Sequence, residues 1–215
     1  TYEISKLLKT EPDVVVEAAS QTAVEMYGKV ILVEGVDLVI SSVGALAKTE
    51  LLNELKQTAS EKGAKIMLPS GALAGLDGLS SAALEDVKAV ALTTRKPPIA
   101  WSGAPGIKDI DLRSIKEPKI IFEGTAREAT MQFPKNANVA AALALSGVGM
   151  DQTKVTLIAD PEVSINSHHI FAEGSFGNID ARVEAEPSPD NLKTSHLAAL
   201  SITRMLERLV ESIGF

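Results

Sequence analysis

Between Asp13 and Ser70 the apolar residues switch repeatedly between a strand period and a helix period, and this alternation constrains the fold more than any other feature of the chain. The run 13–20 (Asp-Val-Val-Val-Glu-Ala-Ala-Ser) is short, apolar and β-branched, the pattern of a buried strand. From Gln21 to Val33, helical spacing takes over through Val24, Tyr27 and Ile31, with Gly35 as a stop. Val36–Ser42 predicts a second strand. Thr49 is placed to cap a helix that turns Leu51, Leu52, Leu55 and Ala59 inward and ends at Gly63. Ala64–Ser70 predicts a third strand. Strands linked by single helices through short connections demand a parallel sheet with right-handed crossovers.

The second part of the chain reads differently. Val87–Thr94 predicts a strand, and Lys96–Gly106 holds three prolines and two glycines, which mark a loop. Ile120–Glu123 is short and extended. Thr125–Phe133 and Asn138–Leu145 predict helices separated by Pro134. Lys154–Ala159, Asn166–Glu173 and Asn178–Glu186 predict strands, the last two joined through Gly174–Gly177. Consecutive strands joined in this way suggest an antiparallel sheet with helices on one face. Thr194–Ile213 predicts a long amphipathic helix with Leu197, Leu200, Leu206, Leu209 and Ile213 on one stripe. The expected class is α/β: a Rossmann-type parallel sheet, then an α+β part with a mainly antiparallel sheet.

Composition narrows the function. At 215 residues the chain can bury a core without metal or disulfide staples. With 4% aromatic residues, that core rests on Ala, Val, Leu and Ile. A net charge of −7 disfavours nucleic acid as a partner, because counterion release needs a clustered basic face. The absence of cysteine removes thiolate nucleophiles and Cys-based metal sites, and it fits a reducing compartment. Apolar runs such as Val139–Leu145 fall far short of the roughly 20 residues that span a bilayer. The opening residues lack the basic-then-apolar pattern of a signal peptide, and none is expected. A cytoplasmic protein without membrane attachment is the expectation.

In a parallel sheet, ligands bind at the carboxyl ends of the strands. Those ends are Ala18–Gln21, Ser41–Ala45 and Ser70–Asp77, all small, polar or glycine-containing, so that backbone could closely approach a flat cofactor. Small residues also make tight strand-to-helix turns, and three such turns in register weigh the two readings about equally. Neither phosphate-binding glycine fingerprint occurs: Gly71, Gly75 and Gly78 have the wrong spacing. Of the three histidines, His168 and His169 are adjacent on a strand, face opposite ways and so cannot share a ligand. No third ligand lies at metal spacing, and a metal site is not expected. A lone histidine is more often structural than catalytic, although it is the natural acid–base group near neutral pH. Asn166 shares a face with His168 and could orient the ring. No nucleophile elbow surrounds Ser70. The alternating charges of 204–211 read as a solvated helix face.

These residues also fall into recognisable blocks. Val16–Gln21, Ser42–Ala45, Ser70–Asp77, Thr93–Pro98, Phe122–Ala129, Phe133–Ala141, Asn166–Ile170 and Lys193–Ser201 together resemble the L-aspartate dehydrogenase family, in order and over nearly the whole chain. The resemblance implies NAD- or NADP-dependent oxidation of L-aspartate to iminoaspartate, which water turns into oxaloacetate and ammonia, in a family that can feed NAD biosynthesis. Carried over block by block, His168 would be the active-site histidine, and Ala72 and Asn138 would line the nicotinamide-cofactor site. Ser20 and Ser42 are further cofactor candidates. Arg95, Lys96, Lys135 and Lys193 are candidates to hold substrate carboxylates, or else ordinary surface charges.

The family plan implies a Rossmann domain over 1–95, rejoined by a closing helix over 194–215, with an α+β substrate and dimerisation domain over 96–193. It also implies a homodimer and a Gly-rich dinucleotide unit ahead of Thr1, expected in the whole protein. The other reading is a non-catalytic small-molecule-binding paralogue that has lost that turn. A dihydrodipicolinate-reductase-like enzyme shares the two-domain plan, but the Asn166-x-His168-x-Ile170 block argues against it.

Overall fold

The structure, a computed structural model, describes residues 3–134, 138–189 and 191–213, and of 191–194 the backbone alone. The chain divides into two compact units, 1–69 and 70–215.

In the first unit a short helix α1 (Ile4–Leu8) precedes strand β1 (Val14–Glu17). Helix α2 (Gln21–Val33), strand β2 (Asp37–Ile40), helix α3 (Thr49–Lys62) and strand β3 (Ile66–Met67) follow. The strands form a parallel sheet in the order β1-β2-β3, with Val14 opposite Asp37 and Leu38 opposite Ile66. Leu38, Val39 and Ile40 are fully buried, as a strand covered on both faces requires. The Ser20 side chain caps α2 by accepting from the Ala23 N–H at 3.2 Å. Gly63 ends α3 at φ 69°, a left-handed conformation that costs glycine nothing. Two local expectations are corrected. Thr49 lies inside α3 and caps nothing, because a 3-10 turn over Val43–Ala47 runs almost directly into the helix and leaves Lys48 at the cap. The third strand pairs only at Ile66 and Met67, opposite Leu38 and Val39 of β2.

The second unit begins with the turn after β3 and helix α4 (Leu76–Ala82), then strand β4 (Val87–Lys96). Three 3-10 turns lead to strand β5 (Lys119–Thr125), helices α5 (Ala126–Gln132) and α6 (Asn138–Ser146), and strands β6 (Lys154–Ala159), β7 (Asn166–Gly174) and β8 (Gly177–Ala185). Strands β9 (Pro187–Ser188) and β10 (Asn191–Ser195) form a small antiparallel pair before helix α7 (His196–Arg208). The large sheet has the order β5-β6-β4-β7-β8, antiparallel except for the β4–β6 pair.

Strand β4 is therefore the centre of the second unit's sheet and not part of a nucleotide domain ending at 95, and the division falls after Pro69. Hydrogen bonding on both edges, to β6 and β7, binds β4 there. Helix α7 is counted with the second unit: the Gly71 N–H donates to Ser201 Oγ at 3.1 Å, and α7 packs on β9 and β10. The helix is shorter than expected, and Leu197, Leu200 and Leu209 of its apolar stripe are exposed.

Alternation along β4 sends Val90, Leu92 and Thr94 into the core together with Ile170 and Ala172 of β7. Alanine-rich α6 packs against this side, buried from Ala140 to Ala144. Thr125 and Glu128 cap α5 reciprocally, which holds the Glu128 carboxyl below its usual range through the bonds from Thr125. Three aromatics meet here: Trp101 and Phe122 each meet Phe133 edge-on, at centroid distances of 5.8 and 5.6 Å. Among the described residues no helix is long and apolar enough to cross a membrane.

Candidate active site

The pairing of β4 with β7 sets Thr94 directly opposite His168. Thr94 Oγ1 lies 3.0 Å from His168 Nδ1, and both residues are buried, His168 to 3% exposure. His168 Nε2 makes no hydrogen bond to any described residue. Burial first, and the nearby Lys96 ammonium second, push the His168 imidazole down to about 3. Desolvation disfavours the charged form, and a neighbouring cation disfavours it further. His168 is a neutral imidazole with one nitrogen committed and one available.

Lys96 lies two residues beyond Thr94 and so shares its face of β4. Its Nζ stands 5.3 Å from the centre of the Trp101 ring, and Trp101 is itself fixed by donation from Nε1 to the Ile158 carbonyl at 3.3 Å. Part of the Lys96 side chain still reaches solvent, yet burial around its ammonium lowers the group from 10.5 to about 8.

The neighbouring residues point the other way. Arg95 Nη1 pairs with Asp160 Oδ2 at 2.9 Å, and Asp160 is buried. His169 Nε2 meets Asp180 Oδ1 at 2.8 Å on the exposed side of the sheet. The register thus separates the two adjacent histidines as alternation requires.

The cofactor candidates fall in two places. In the second unit Ala72 is buried in the turn after β3, next to Gly71, whose φ of 63° needs glycine and whose missing side chain leaves open space. Asn138 is the first residue of α6, with an exposed side chain. In the first unit Ser20 and Ser42 meet through a residue that the sequence reading did not single out, Glu17. The Glu17 carboxylate accepts from the N–H groups of Ala19 and Ser20 at 2.8 Å each. It also accepts from the Ser42 N–H at 2.9 Å and the Ser42 hydroxyl at 3.0 Å. A buried acidic residue at the end of an apolar strand was the available signal, since such a charge must be hydrogen-bonded. Lys135 lies outside the described residues, as does the side chain of Lys193. Among the described residues no cluster of His, Asp and Glu could hold a metal ion.

A parallel α/β unit followed by a mixed-sheet unit that buries one neutral histidine is the plan of a two-part nicotinamide-dependent dehydrogenase. Residues 1–69 match the family described as homoserine dehydrogenase, NAD binding domain, and residues 77–209 match aspartate dehydrogenase, C-terminal. The chain belongs to the aspartate dehydrogenase family. It is 46% identical over 203 residues to L-aspartate dehydrogenase of Methanosarcina barkeri, a match covering 94% of this chain and 75% of the relative. Against L-aspartate dehydrogenase of Acinetobacter baumannii the identity is 45%, over 94% of this chain and 77% of the relative. The crystal structure of aspartate dehydrogenase from Thermotoga maritima superposes with a TM-score of 0.80 at 34% identity, over 94% of this chain and 78% of that one. A hyperthermophilic archaeal homoserine dehydrogenase in complex with NADPH shares the fold, at 14% identity and a TM-score of 0.57.

Proposed function

We propose that the protein oxidises L-aspartate with NAD or NADP to iminoaspartate, which water converts to oxaloacetate and ammonia. The observation that carries this reading is the neutral His168, held at Nδ1 by Thr94 and bonded at Nε2 to none of the described residues, within a chain of the aspartate dehydrogenase family. Bound NAD or NADP supplies the hydride acceptor. Ala72 and Asn138, with Ser20 and Ser42, are the residues proposed to hold it. The open space beside Gly71 and the compact turns tied to Glu17 fit a flat ring and a close backbone approach.

The chain's own residues must orient the substrate and manage its protons. With Nδ1–H donating to Thr94 Oγ1, the neutral imidazole can accept a proton at Nε2, so His168 in that tautomer takes one from the substrate amino group as the imine forms. Thr94 keeps the ring in place while this happens. Asn166, two residues before His168 and so on its face, is placed to orient the substrate.

The first unit is proposed to serve the nucleotide and the second the substrate, with β4 belonging to the second. A cytoplasmic homodimer, formed through the outer face of the large sheet, completes the proposal, and a role in NAD biosynthesis is consistent with it. The test is steady-state kinetics of the whole protein. L-aspartate should reduce NAD or NADP, and L-glutamate should be slower by roughly tenfold or more, since one extra methylene in a fitted site costs about 1–3 kcal/mol. Equal rates with the two amino acids would remove the reading.

A further inference from the structure

We infer that in the substrate-free protein the Thr94 hydroxyl donates to His168 Nδ1 and the ring carries its proton on Nε2. The group that His168 first offers a ligand is then an N–H donor, fitted to a carboxylate. The inference deepens the reading of a dicarboxylic amino acid as substrate, and it rests on that reading for the identity of the ligand.

A contact of 3.0 Å between a hydroxyl and a ring nitrogen has two forms. Either Nδ1–H donates to Thr94 Oγ1, or the hydroxyl donates to Nδ1. The surroundings separate them. Thr94 is 1% exposed, and among the described residues its hydroxyl bonds only to the imidazole. Were its oxygen to accept from Nδ1–H, its own proton would be buried with nothing to receive it, and Nε2 would be a bare acceptor. When the hydroxyl donates, its proton and Nδ1 satisfy each other, and only Nε2–H is left over for a ligand. A buried donor without an acceptor is the costlier arrangement.

The sheet supplies no rival acceptor for the hydroxyl. On this face Leu157 of β6 stands opposite Thr94, and Val183 of β8 stands opposite His168. Leu92 and Ile170, paired with each other, flank them on one side. Lys96, on the other side of Thr94, carries only donors in its side chain. A doubly protonated ring would force the hydroxyl to accept, but burial keeps the imidazole neutral.

An Nε2–H pairs with a carboxylate oxygen and cannot receive the N–H of an ammonium. An arriving L-aspartate therefore meets His168 through a carboxylate. The proton-accepting tautomer arises when the Thr94 hydroxyl turns from donor to acceptor. That turn strands the hydroxyl proton, so the accepting form is populated about tenfold or more below the other. Thr94 is a positioning residue that acts through the ring.

The experiment is long-range proton–nitrogen NMR of the whole protein, with isotope-labelled histidine, at neutral pH and without substrate. His168→Gln assigns the His168 signals. The wild type should show a protonated Nε2 and an unprotonated Nδ1 displaced by its hydrogen bond. Thr94→Val should move the Nδ1 signal to the position of an unbonded ring nitrogen, and Thr94→Ser should restore it. Succinate, a dicarboxylate without an amino group, is then added to protein saturated with reduced cofactor. It should move the Nε2–H proton signal downfield and leave those of His169 and His196 in place. A proton on Nδ1 in the substrate-free protein overturns the proposal, as does an Nδ1 signal indifferent to Thr94→Val. An Nε2–H signal that ignores succinate overturns the assignment of a carboxylate. The expected signals in a protein that does not oxidise L-aspartate keep the proposal and remove the functional reading.

Discussion

Thr94 Oγ1 and His168 Nδ1 are 3.0 Å apart across two antiparallel strands, and this bond fixes which nitrogen of the ring remains for chemistry. A hydroxyl that donates to Nδ1 selects the tautomer protonated at Nε2, and one that accepts selects the reverse. Either way the ring cannot rotate without leaving a buried polar atom unpaired. Replacing Thr94 with valine keeps the shape and removes the bond. The expected result is a fall in kcat of about tenfold, the scale of one buried hydrogen bond, with cofactor affinity unchanged. Unaltered kcat in a folded Thr94→Val protein would show that the bond is dispensable for turnover.

The adjacent histidines should behave differently. His168→Ala should lower kcat/KM for L-aspartate by roughly 100-fold or more, as for a lost acid–base group. His169→Ala should cost far less, because that ring pairs with Asp180 on the exposed side. Circular dichroism confirms folding in both. The opposite ranking would move the catalytic role to the other face of the sheet.

His168 also predicts how stability depends on pH. The unfolded chain protonates this residue near 6.5, whereas the folded chain resists down to about 3. Between those values the unfolded state binds more protons, so the contribution to stability is complete above pH 6.5 and is lost as pH falls. The slope is about 1.4 kcal/mol per pH unit, or about 2 kcal/mol by pH 5. Urea unfolding of wild type and His168→Gln at pH 7 and pH 5 checks this, with the variant losing less. Parallel losses in the two proteins would contradict a buried neutral ring.

Glu17 joins the turn after β1 to the turn after β2 through four donors on Ala19, Ser20 and Ser42. Glu17→Gln replaces one acceptor oxygen with a donor, which then faces an N–H. A loss of about 1–3 kcal/mol in stability is expected, with weaker binding of NADH or NADPH in a fluorescence titration. Cofactor affinity equal to the wild type would separate these turns from the cofactor site.

One face of the large sheet is covered by helices, while the other carries His169 and Phe171 of β7 with Asp180 and Arg182 of β8. Light scattering of the whole protein at micromolar concentration should give the mass of a dimer. Substituting Phe171, half-buried on that face, with Glu should shift the mass toward monomer. A monomeric wild type counts against the face as an interface.

Local patterns carried much of this molecule. The period of the apolar residues marked α2 at its observed bounds and β6 as it stands, because side-chain direction along a helix or strand follows from backbone geometry alone. The same rule placed His168 and His169 on opposite faces before any coordinates. The family blocks supplied the histidine and the cofactor candidates, a step that periodicity by itself could not take.

Tertiary structure decided what depends on partners distant in the chain. Strand β4 has the pattern of any buried strand, and only its bonds to β6 and β7 place it in the second unit's sheet. The apolar stripe of α7 is plain in the sequence, yet its exposure follows from what the helix packs against. Arg95 and Lys96 are neighbouring cations with equal claims until Asp160, 65 residues from Arg95, engages one and Trp101 lies under the other. The burial of His168, and with it the neutral state of the ring, arises the same way: desolvation is a property of the whole packed environment, and no residue encodes it alone.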